Sequence, residues 1–287
     1  MEIKGIDVSK YQGQIDWKQV KEAGIGFAMV RAGITSLSGD VTEDPRFAEN
    51  MSRAAEAGIP AGVYLYMKAS TPVAAQNAAR SLLSLLEEYQ VGYPVAFDIE
   101  DAVYREKTAQ ENTSILLAAL RAARKGGYYP LVYASTSFMQ YQLIPDQLEE
   151  YNFWIADYRG SMGYPDKNQV GMWQSGTGRV SGITSIVDLD TSYRDYAKIL
   201  KDEGLNHLKP EISSWEIQVF RFREKTRADD IAEALRTLGY YSVVVPRDAE
   251  WQIRVFQFNS RDRADDVSHA IRLLGYYNEV LPYTPPA

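Results

Sequence analysis

Residues 1–203 alternate short apolar segments with longer amphipathic ones, and this alternation constrains the fold more than any other feature. Strands are predicted at eight places, and helices lie between the first five of them. Strands joined by crossover helices are typical of a parallel sheet covered by helices. The predicted strands are Ile3–Val8, Phe27–Gly33, Ala61–Met67, Val95–Glu100, Leu131–Ala134, Phe153–Tyr158, Gly171–Gln174 and Ile186–Leu189, and the predicted helices are Asp16–Ala23, Asp44–Ala57, Thr71–Tyr89 and Thr108–Lys125.

Eight strands in this arrangement predict an α/β fold, a barrel of the TIM type whose strands are of parallel character. The later strands follow one another more closely than the first five, so we expect the second half of the barrel to be irregular. An open doubly wound sheet is the alternative, although no glycine-rich phosphate-binding loop follows the first strand.

The end of the chain contains an internal repeat. Trp215–Pro246 and Trp251–Pro282 align at a constant offset of 36 residues without a gap. Each copy has the pattern strand, helix, strand, and neither copy is long enough to bury its own sheet. Together they predict one small α+β domain with a ferredoxin-like βαββαβ order. We therefore predict a barrel domain at 1–204, a linker at 205–214 and a repeat domain at 215–287.

The segment Tyr93–Asp101, YPVAFDIED, is an apolar strand that ends in acids. Residues two apart on a strand point to the same side, which places Asp98 and Glu100 together. Burying two adjacent carboxyls costs desolvation and repulsion. Folds keep such pairs mainly where one carboxyl stays protonated beside a charged neighbour, as acid-assisted cleavage of a glycoside requires. The same segment is equally compatible with a strand that ends in a solvated acidic turn.

Further acids fall at the ends of other predicted strands, where a barrel carries its active site. Asp7 ends the first strand, Asp157 the sixth, and Asp188 the eighth; Asp190 lies just beyond the eighth, where it is expected to cap the next helix. Each acid alone is compatible with a turn. All of them at one rim, among aromatic side chains, indicate a carbohydrate cleft. The aromatic residues are Tyr64, Tyr66, Tyr133, Trp154, Tyr158 and Trp173.

Five motifs, in the same order, resemble glycoside hydrolase family 25, the N-acetylmuramidase lysozymes of phage endolysins, bacterial autolysins and some fungi. The motifs are GIDVSKYQGQIDW at 5–17, DIE at 98–100, WIADY at 154–158, WQSG at 173–176 and VDLD at 187–190. The resemblance covers residues 1–200. It implies an irregular (β/α)5β3 TIM-like barrel and hydrolysis of the β-1,4 bond between N-acetylmuramic acid and N-acetylglucosamine in peptidoglycan.

The resemblance implies that Glu100 is the proton donor, that Asp98 is its companion, and that Asp7 and Asp188 are supporting acids. A charged Asp98 on the same side would favour the protonated form of Glu100. Asp98 could attack directly, position a water, or orient the 2-acetamido group of the substrate; we favour the last, because a short side chain reaches the anomeric carbon poorly. The predicted substrate-binding residues are Tyr64, Tyr133, Trp154, Asp157, Tyr158, Trp173 and Gln174.

The repeat domain resembles the sporulation-related repeat (SPOR) domain, which binds glycan strands of peptidoglycan. Phe220 and Phe256 stand where that family often has glycine. Such a domain would raise the effective concentration of the barrel on an insoluble polymer. A packed aromatic core with solvated arginines is the alternative to a glycan-binding face, for which the candidates are Trp215, Arg221, Phe222, Trp251 and Arg254.

Composition limits the partners and cofactors. The net charge of −7 argues against nucleic acid as the main partner. No apolar run approaches the length of a membrane span, so no membrane partner is expected. The chain has no cysteine, and its two histidines, His207 and His269, lie outside the predicted barrel. We therefore expect no metal or other cofactor, which argues against a metal-dependent hydrolase.

A catalytically silent peptidoglycan-binding protein is the remaining alternative, although all four acids of the predicted site are present.

The first residues, MEIKGIDVSK, enter a predicted strand at once and leave no room for a signal peptide. We therefore expect a phage endolysin that is made in the host cytoplasm and released by a holin, rather than a secreted autolysin.

Overall fold

The strands of the first part of the chain close into a barrel, which confirms the predicted fold class. The computed structural model describes residues 2–208, 215–258 and 260–283, and the chain divides into two units, residues 1–210 and 211–287. Within residues 2–208, the barrel strands are β1 (Ile3–Val8), β2 (Phe27–Thr35), β4 (Ala61–Tyr66), β5 (Val95–Asp98), β6 (Pro130–Ser135), β7 (Asn152–Ala156), β8 (Val170–Gly178) and β9 (Val187–Ser192), while β3 (Val41–Glu43) extends β2 as a hairpin.

Helices follow each of the first five barrel strands, which gives the (β/α)5β3 order. The start of α4 is capped at both groups: the Thr108 side chain accepts a hydrogen bond from the backbone N–H of Glu111, and the Glu111 side chain accepts one from the backbone N–H of Thr108. Among the described residues, none of the helices combines the length and apolar character that crossing a bilayer requires. The helices are α1 (Trp17–Glu22), α2 (Phe47–Glu56), α3 (Pro72–Leu86), α4 (Ala109–Lys125), α5 (Thr136–Tyr141) and, after β9, α6 (Tyr196–Glu203).

Alternation along the strands separates two cores. Outward residues such as Ile6, Val63 and Phe97 pack with the helices, whereas Phe27 and Trp154 belong to a separate cluster inside the barrel. The lumen below the mouth is therefore filled with side chains, as in other small barrels. Gly5 makes room for this filling, since a Cβ atom there would lie 2.2 Å from the Phe27 ring.

The last barrel strand differs from the prediction in direction and extent. β9 is antiparallel to both β1 and β8, whereas the other neighbouring barrel strands are parallel. It continues to Ser192, so Asp190 lies within the strand opposite Gly5. The prediction that Asp190 caps the following helix is wrong, because Asp195 is the N-cap of α6.

The predicted linker begins too early. Asn206 is 4% exposed, and its side chain donates to the backbone oxygens of Val91 and Tyr93 and accepts from the backbone nitrogen of Tyr129. These bonds attach residues 205–208 to the barrel unit. The rest of the predicted linker, residues 209–214, lies outside the described residues.

The second unit has the predicted βαββαβ order. Its antiparallel sheet has the strand order β11, β12, β10, β13, and one apolar core joins the sheet to both helices. Phe222, a candidate for the binding face, belongs to this core and is buried. The elements are β10 (Trp215–Phe222), α7 (Lys225–Thr237), β11 (Tyr241–Arg247), β12 (Glu250–Phe258), α8 (Arg261–Leu273) and β13 (Asn278–Pro282).

Candidate active site

The four predicted acids meet at one mouth of the barrel. Asp7 lies near the end of β1 and Asp98 ends β5, and parallel strands bring their carboxyl ends to the same side. Because β9 runs in the opposite direction, its beginning reaches this mouth, where Asp188 pairs with Asp7 in the strand register. Glu100 follows in the loop after β5.

The chain turns between Asp98 and Glu100. The backbone nitrogen of Glu100 donates to Oδ1 of Asp98 over 3.2 Å, and β5 ends at Asp98 rather than at Glu100 as predicted. Asp98 is 7% exposed, whereas Glu100 is half-buried and lines an open groove. The two carboxyls are thus neighbours in different surroundings.

Burial determines the protonation of Asp98. Loss of water raises the pKa of Asp98 well above its usual value, and the adjacent carboxyl of Glu100 raises it further. Among the described residues, no ion pair neutralises Asp98. Burial without a cationic partner therefore opposes the predicted charge on Asp98, because a buried carboxyl keeps its proton more readily than a solvated one.

A serine that the sequence analysis did not identify orients Glu100. Ser135, the last residue of β6, donates from Oγ to Oε1 of Glu100 over 2.5 Å. The same Oγ accepts the backbone N–H of Phe138, which caps α5. Since that cap fixes Ser135, it also holds Oε1 of Glu100 and leaves Oε2 as the oxygen available to carry a proton.

Gln174 connects the other acids to the aromatic wall. Its Nε2 donates to Oδ2 of Asp7 over 2.7 Å, and its Oε1 accepts from the hydroxyls of Tyr133 at 2.9 Å and Tyr158 at 2.6 Å. The Tyr158 hydroxyl also lies 3.2 Å from Oδ1 of Asp188. The structure thus brings five of the predicted site residues into one hydrogen-bond network.

The acids deep in the mouth ionise reluctantly. Burial raises the pKa of Asp7 to about 7, and the charge of Asp188 adds to the rise. Burial also raises the pKa of Asp188, and that of Asp190 well above its usual value. Arg31 opposes the rise at Asp7, but its guanidinium binds Asp44 with contacts of 2.8 and 2.6 Å.

Three of the predicted sugar-binding aromatic residues lie inside the barrel lumen. Trp154 is 1% exposed, packs edge-on against Tyr64 and Tyr133 inside the barrel, and donates its indole N–H to Asp190 over 2.8 Å. The prediction that a sugar stacks on Trp154 is wrong, because other side chains cover its ring. Tyr64 and Tyr133 line the same lumen and are partly buried.

Asp157 and Trp173 organise the rim of the mouth. Asp157 is 5% exposed, and its oxygens accept hydrogen bonds from Arg159, Thr136 and the backbone of Gly163. The Arg159 guanidinium and these donors hold the pKa of Asp157 well below its usual range. Trp173, adjacent to the lumen residue Gln174, faces the other side of β8 and donates to the backbone oxygen of Asp157. Protein partners thus occupy the polar atoms of both residues, and their predicted substrate contacts stay predictions.

A groove of about 620 Å³ opens beside Glu100. Tyr158 is 55% exposed and Tyr141, at the end of α5, is 77% exposed. Exposed aromatic rings beside a polar groove provide apolar faces for sugar rings. Sequence reasoning missed Tyr141, because it lies in a helix after the strand rather than on the strand itself. The groove is lined by Glu100, Tyr133, Ser135, Thr136, Ser137, Gln140, Tyr141, Ala156, Asp157, Tyr158 and Arg159.

A larger cavity, of about 890 Å³, lies between α1, α2 and residues 182–184. None of the four acids lines it. Its size therefore does not mark it as the reaction site, whereas Glu100, one of the four acids, lines the smaller groove.

The second unit carries an aromatic and basic surface of its own. β10 bulges between Val219 and Phe222, and Arg221 in the bulge has a φ of 73°. The Arg221 guanidinium lies 4.7 Å from the Tyr277 ring centre, and that of Arg247 lies 4.3 Å from the Phe220 ring centre. These four residues, with Trp251 and Glu279, line a groove of about 540 Å³.

Comparison with known proteins gives the family of each unit. The sequence model of glycosyl hydrolases family 25 matches residues 6–183, and that of the SPOR domain matches residues 212–282. Protein YegX of Escherichia coli O157:H7 is 31% identical over 191 residues, which cover 66% of this chain and 68% of YegX. Lysozyme M1 of Streptomyces globisporus is 29% identical over 213 residues, 69% of this chain and 70% of its own.

A solved structure agrees with this match. The CTP1L endolysin superposes with a TM-score of 0.60 at 25% identity, over 69% of each chain. The family match spans more than half of the chain and includes Asp7, Asp98 and Glu100. The chain therefore belongs to glycosyl hydrolases family 25, and it is a glycoside hydrolase of the lysozyme type, a peptidoglycan hydrolase that acts on the cell wall and carries a SPOR domain.

Proposed function

We propose that this lysozyme cleaves the β-1,4 bond between N-acetylmuramic acid and N-acetylglucosamine, with Glu100 as the general acid. The observation that carries the proposal is the position of Glu100: it lines the groove, and Ser135 holds Oε1 and leaves Oε2 for the proton. General acid catalysis requires such a carboxyl within reach of the leaving oxygen.

Asp98 orients the 2-acetamido group of the substrate in this mechanism. Within the described residues its one hydrogen-bond donor is the backbone nitrogen of Glu100, so the carboxyl can accept another. An acetamido N–H that donates to Asp98 stabilises its charged form. Substrate binding then favours transfer of the proton from Asp98 to Glu100, and Glu100 passes it to the leaving oxygen.

Asp7 and Asp188 support the charge that develops on the sugar. Cleavage passes through a transition state with oxocarbenium character. Both carboxyls have pKa values raised by burial, and the charge of Asp188 adds to the rise at Asp7; such carboxyls gain more from a nearby positive charge than solvated ones do. Gln174 holds Asp7 in place, and Tyr158 does the same for Asp188.

Tyr141 and Tyr158 are proposed to stack on sugar rings along the groove. Both rings are more than half exposed, unlike that of Trp154. The groove of the second unit, with Phe220, Arg221 and Tyr277, is proposed to hold glycan strands of the wall. Similarity to an endolysin supports release by a holin from the cell in which the protein is made, which stays a prediction.

Mass spectrometry of fragments from digested peptidoglycan tests the proposed bond. We expect new reducing ends on N-acetylmuramic acid. Reducing ends on N-acetylglucosamine would contradict the proposed bond while leaving the enzyme a glycoside hydrolase. The anomer of the first product separates retention through the acetamido group from inversion by a water.

Removal of residues 211–287 tests the proposed wall binding. The truncation follows the boundary between the two units. We expect weaker sedimentation with walls and slower lysis, with cleavage of short soluble glycans unchanged. An equal loss on both substrates would contradict the anchoring role.

A further inference from the structure

Asp190 is a buried acid that the proposed mechanism does not use. It lies within β9 in the lumen and is 3% exposed. Its Oδ1 accepts the indole N–H of Trp154, whereas its Oδ2 is buried and has no donor among the described residues. A charged carboxylate oxygen in this position would lack the hydrogen bonds that buried charges require.

Another carboxyl lies close to Asp190 on the same face of the sheet. Asp7 and Asp190 are diagonal neighbours on β1 and β9, because Gly5 is opposite Asp190 and Asp7 is opposite Asp188; Gln174, opposite Asp190 on β8, donates to Asp7. Two ionised carboxylates would only accept hydrogen bonds, whereas two neighbouring carboxyl groups that share one proton form a hydrogen bond with each other. We propose that Asp190 is a positioning residue, which keeps its proton and donates it in a hydrogen bond to Asp7.

The surroundings decide which acid carries the proton. Asp7 accepts a second hydrogen bond from Gln174 and is close to Arg31, and both stabilise its charged form. Asp190 has the Trp154 donor but no cationic partner among the described residues, and burial and the charge of Asp7 raise its pKa well above its usual value. The other ionisable groups that face this pair are Asp188 on β9, Tyr64 on β4, Asp98 on β5, Tyr133 on β6 and Tyr158 after β7.

The shared proton fixes the orientation of the Asp7 carboxylate. Only one negative charge is then buried in the pair, rather than two. Gln174 and protonated Asp190 hold the carboxylate from two neighbouring strands. The inference deepens the proposed function, since it rests on the supporting role of Asp7. Asp190 touches no substrate in this scheme and acts through Asp7.

Two variants of similar size separate donation from packing. Asp190→Asn keeps an acceptor for Trp154 and places an N–H₂ donor where the protonated oxygen stood, so we expect kcat within about threefold of the parent enzyme. Asp190→Leu fills the space without a donor. We expect it to lower kcat by roughly ten- to a hundredfold, with KM little changed, the effect of losing a hydrogen bond to a charged group. Equal losses in both variants would overturn the proposal.

Infrared spectroscopy of the whole protein reads the proton directly and does not depend on the leucine variant folding. At pH 8, we expect the parent enzyme to show a carboxylic acid carbonyl band that Asp190→Asn lacks. Identical bands in the two proteins would overturn the proposal. Asp7→Asn separates this outcome from failure of the proposed function: if that variant cleaves walls normally, Asp7 has no supporting role, whatever the infrared spectra show.

Discussion

In the lumen of the barrel, Asp98 and Asp7 are buried, neither has an ion pair within the part of the chain that the structure describes, and their pKa values rise. In the second unit, Glu216 is equally buried at 2% exposure, but the Arg254 guanidinium donates to its Oε2 over 2.9 and 2.7 Å. Arg31 and Asp44 repeat the second arrangement inside the barrel. Paired buried acids maintain the architecture, whereas unpaired ones destabilise the native state and are kept where the reaction needs them.

The largest expected effect in this comparison is on Asp98. Asp98→Asn removes the negative charge that the acetamido N–H requires and the proton that passes to Glu100. We expect kcat/KM on walls to fall by about 10²-fold or more. Turbidity loss of a wall suspension measures this. Asp146→Asn, on the exposed surface, is the control and should lyse walls normally; an Asp98 variant that does the same would remove Asp98 from the mechanism.

Asp7→Asn should separate activity from stability. Burial raises the pKa of Asp7 from 3.8 to about 7, so ionised Asp7 destabilises the native state. This cost is absent below about pH 4 and complete above about pH 7. We therefore expect the variant to lose activity, to unfold at a higher temperature than the parent at pH 8, and to show no such gain at pH 3, as measured by thermal denaturation.

Asp157→Asn is the control for the direction of this change in unfolding temperature. Arg159 holds the pKa of Asp157 low, so the charged form stabilises the native state at all pH values above the usual range of an aspartate. This variant should unfold at a lower temperature at pH 8. If both aspartate variants shift in the same direction, the distinction between paired and unpaired acids fails.

Glu216→Gln breaks a buried ion pair in the second unit. Removing one partner leaves the Arg254 charge less compensated, and we expect the free energy of unfolding of this unit to fall by about 3 kcal/mol. Wall binding should fail at a lower temperature, while cleavage of soluble glycans stays normal. Glu233→Gln, whose partner Arg236 is exposed, should change neither by a measurable amount; loss of soluble activity in Glu216→Gln would contradict the account.

The smallest effect is expected at Ser135. Ser135→Ala removes the donor to Oε1 of Glu100 and the cap of α5. We expect kcat to fall by about three- to tenfold, with part of the loss restored in Ser135→Thr, which keeps the hydroxyl. Steady-state kinetics on a soluble glycan measures it. A variant with unchanged kcat would show that Glu100 needs no orienting partner.

The sequence predicted most of the barrel because local patterns carry its elements. The apolar run before Asp98 and the acids that follow it indicate both a strand and a site. The direction of β9 depends instead on how the chain closes the barrel. Because β9 is antiparallel and extends to Ser192, Asp190 lies in the lumen rather than at the predicted helix cap. No local pattern shows that closure.

The sequence also did not predict which partners the side chains of the site contact. Trp154 and Tyr158 belong to one motif, yet the first is buried in the lumen and the second is exposed at the groove. Asp157 pairs with Arg159 two residues later. In the sequence Asp157 has the position of a substrate-binding acid, and only the turn after β7 shows the ion pair. Burial, rather than residue type, separated these roles.

The central claim is that Glu100 supplies the proton, and Glu100→Gln tests it most directly. The matched control is Glu106→Gln, a nearby exposed glutamate. We predict that Glu100→Gln folds and binds walls normally but lyses them at least 10²-fold more slowly, while the control retains full activity. Lysis by Glu100→Gln at a rate near that of the parent enzyme would contradict the account.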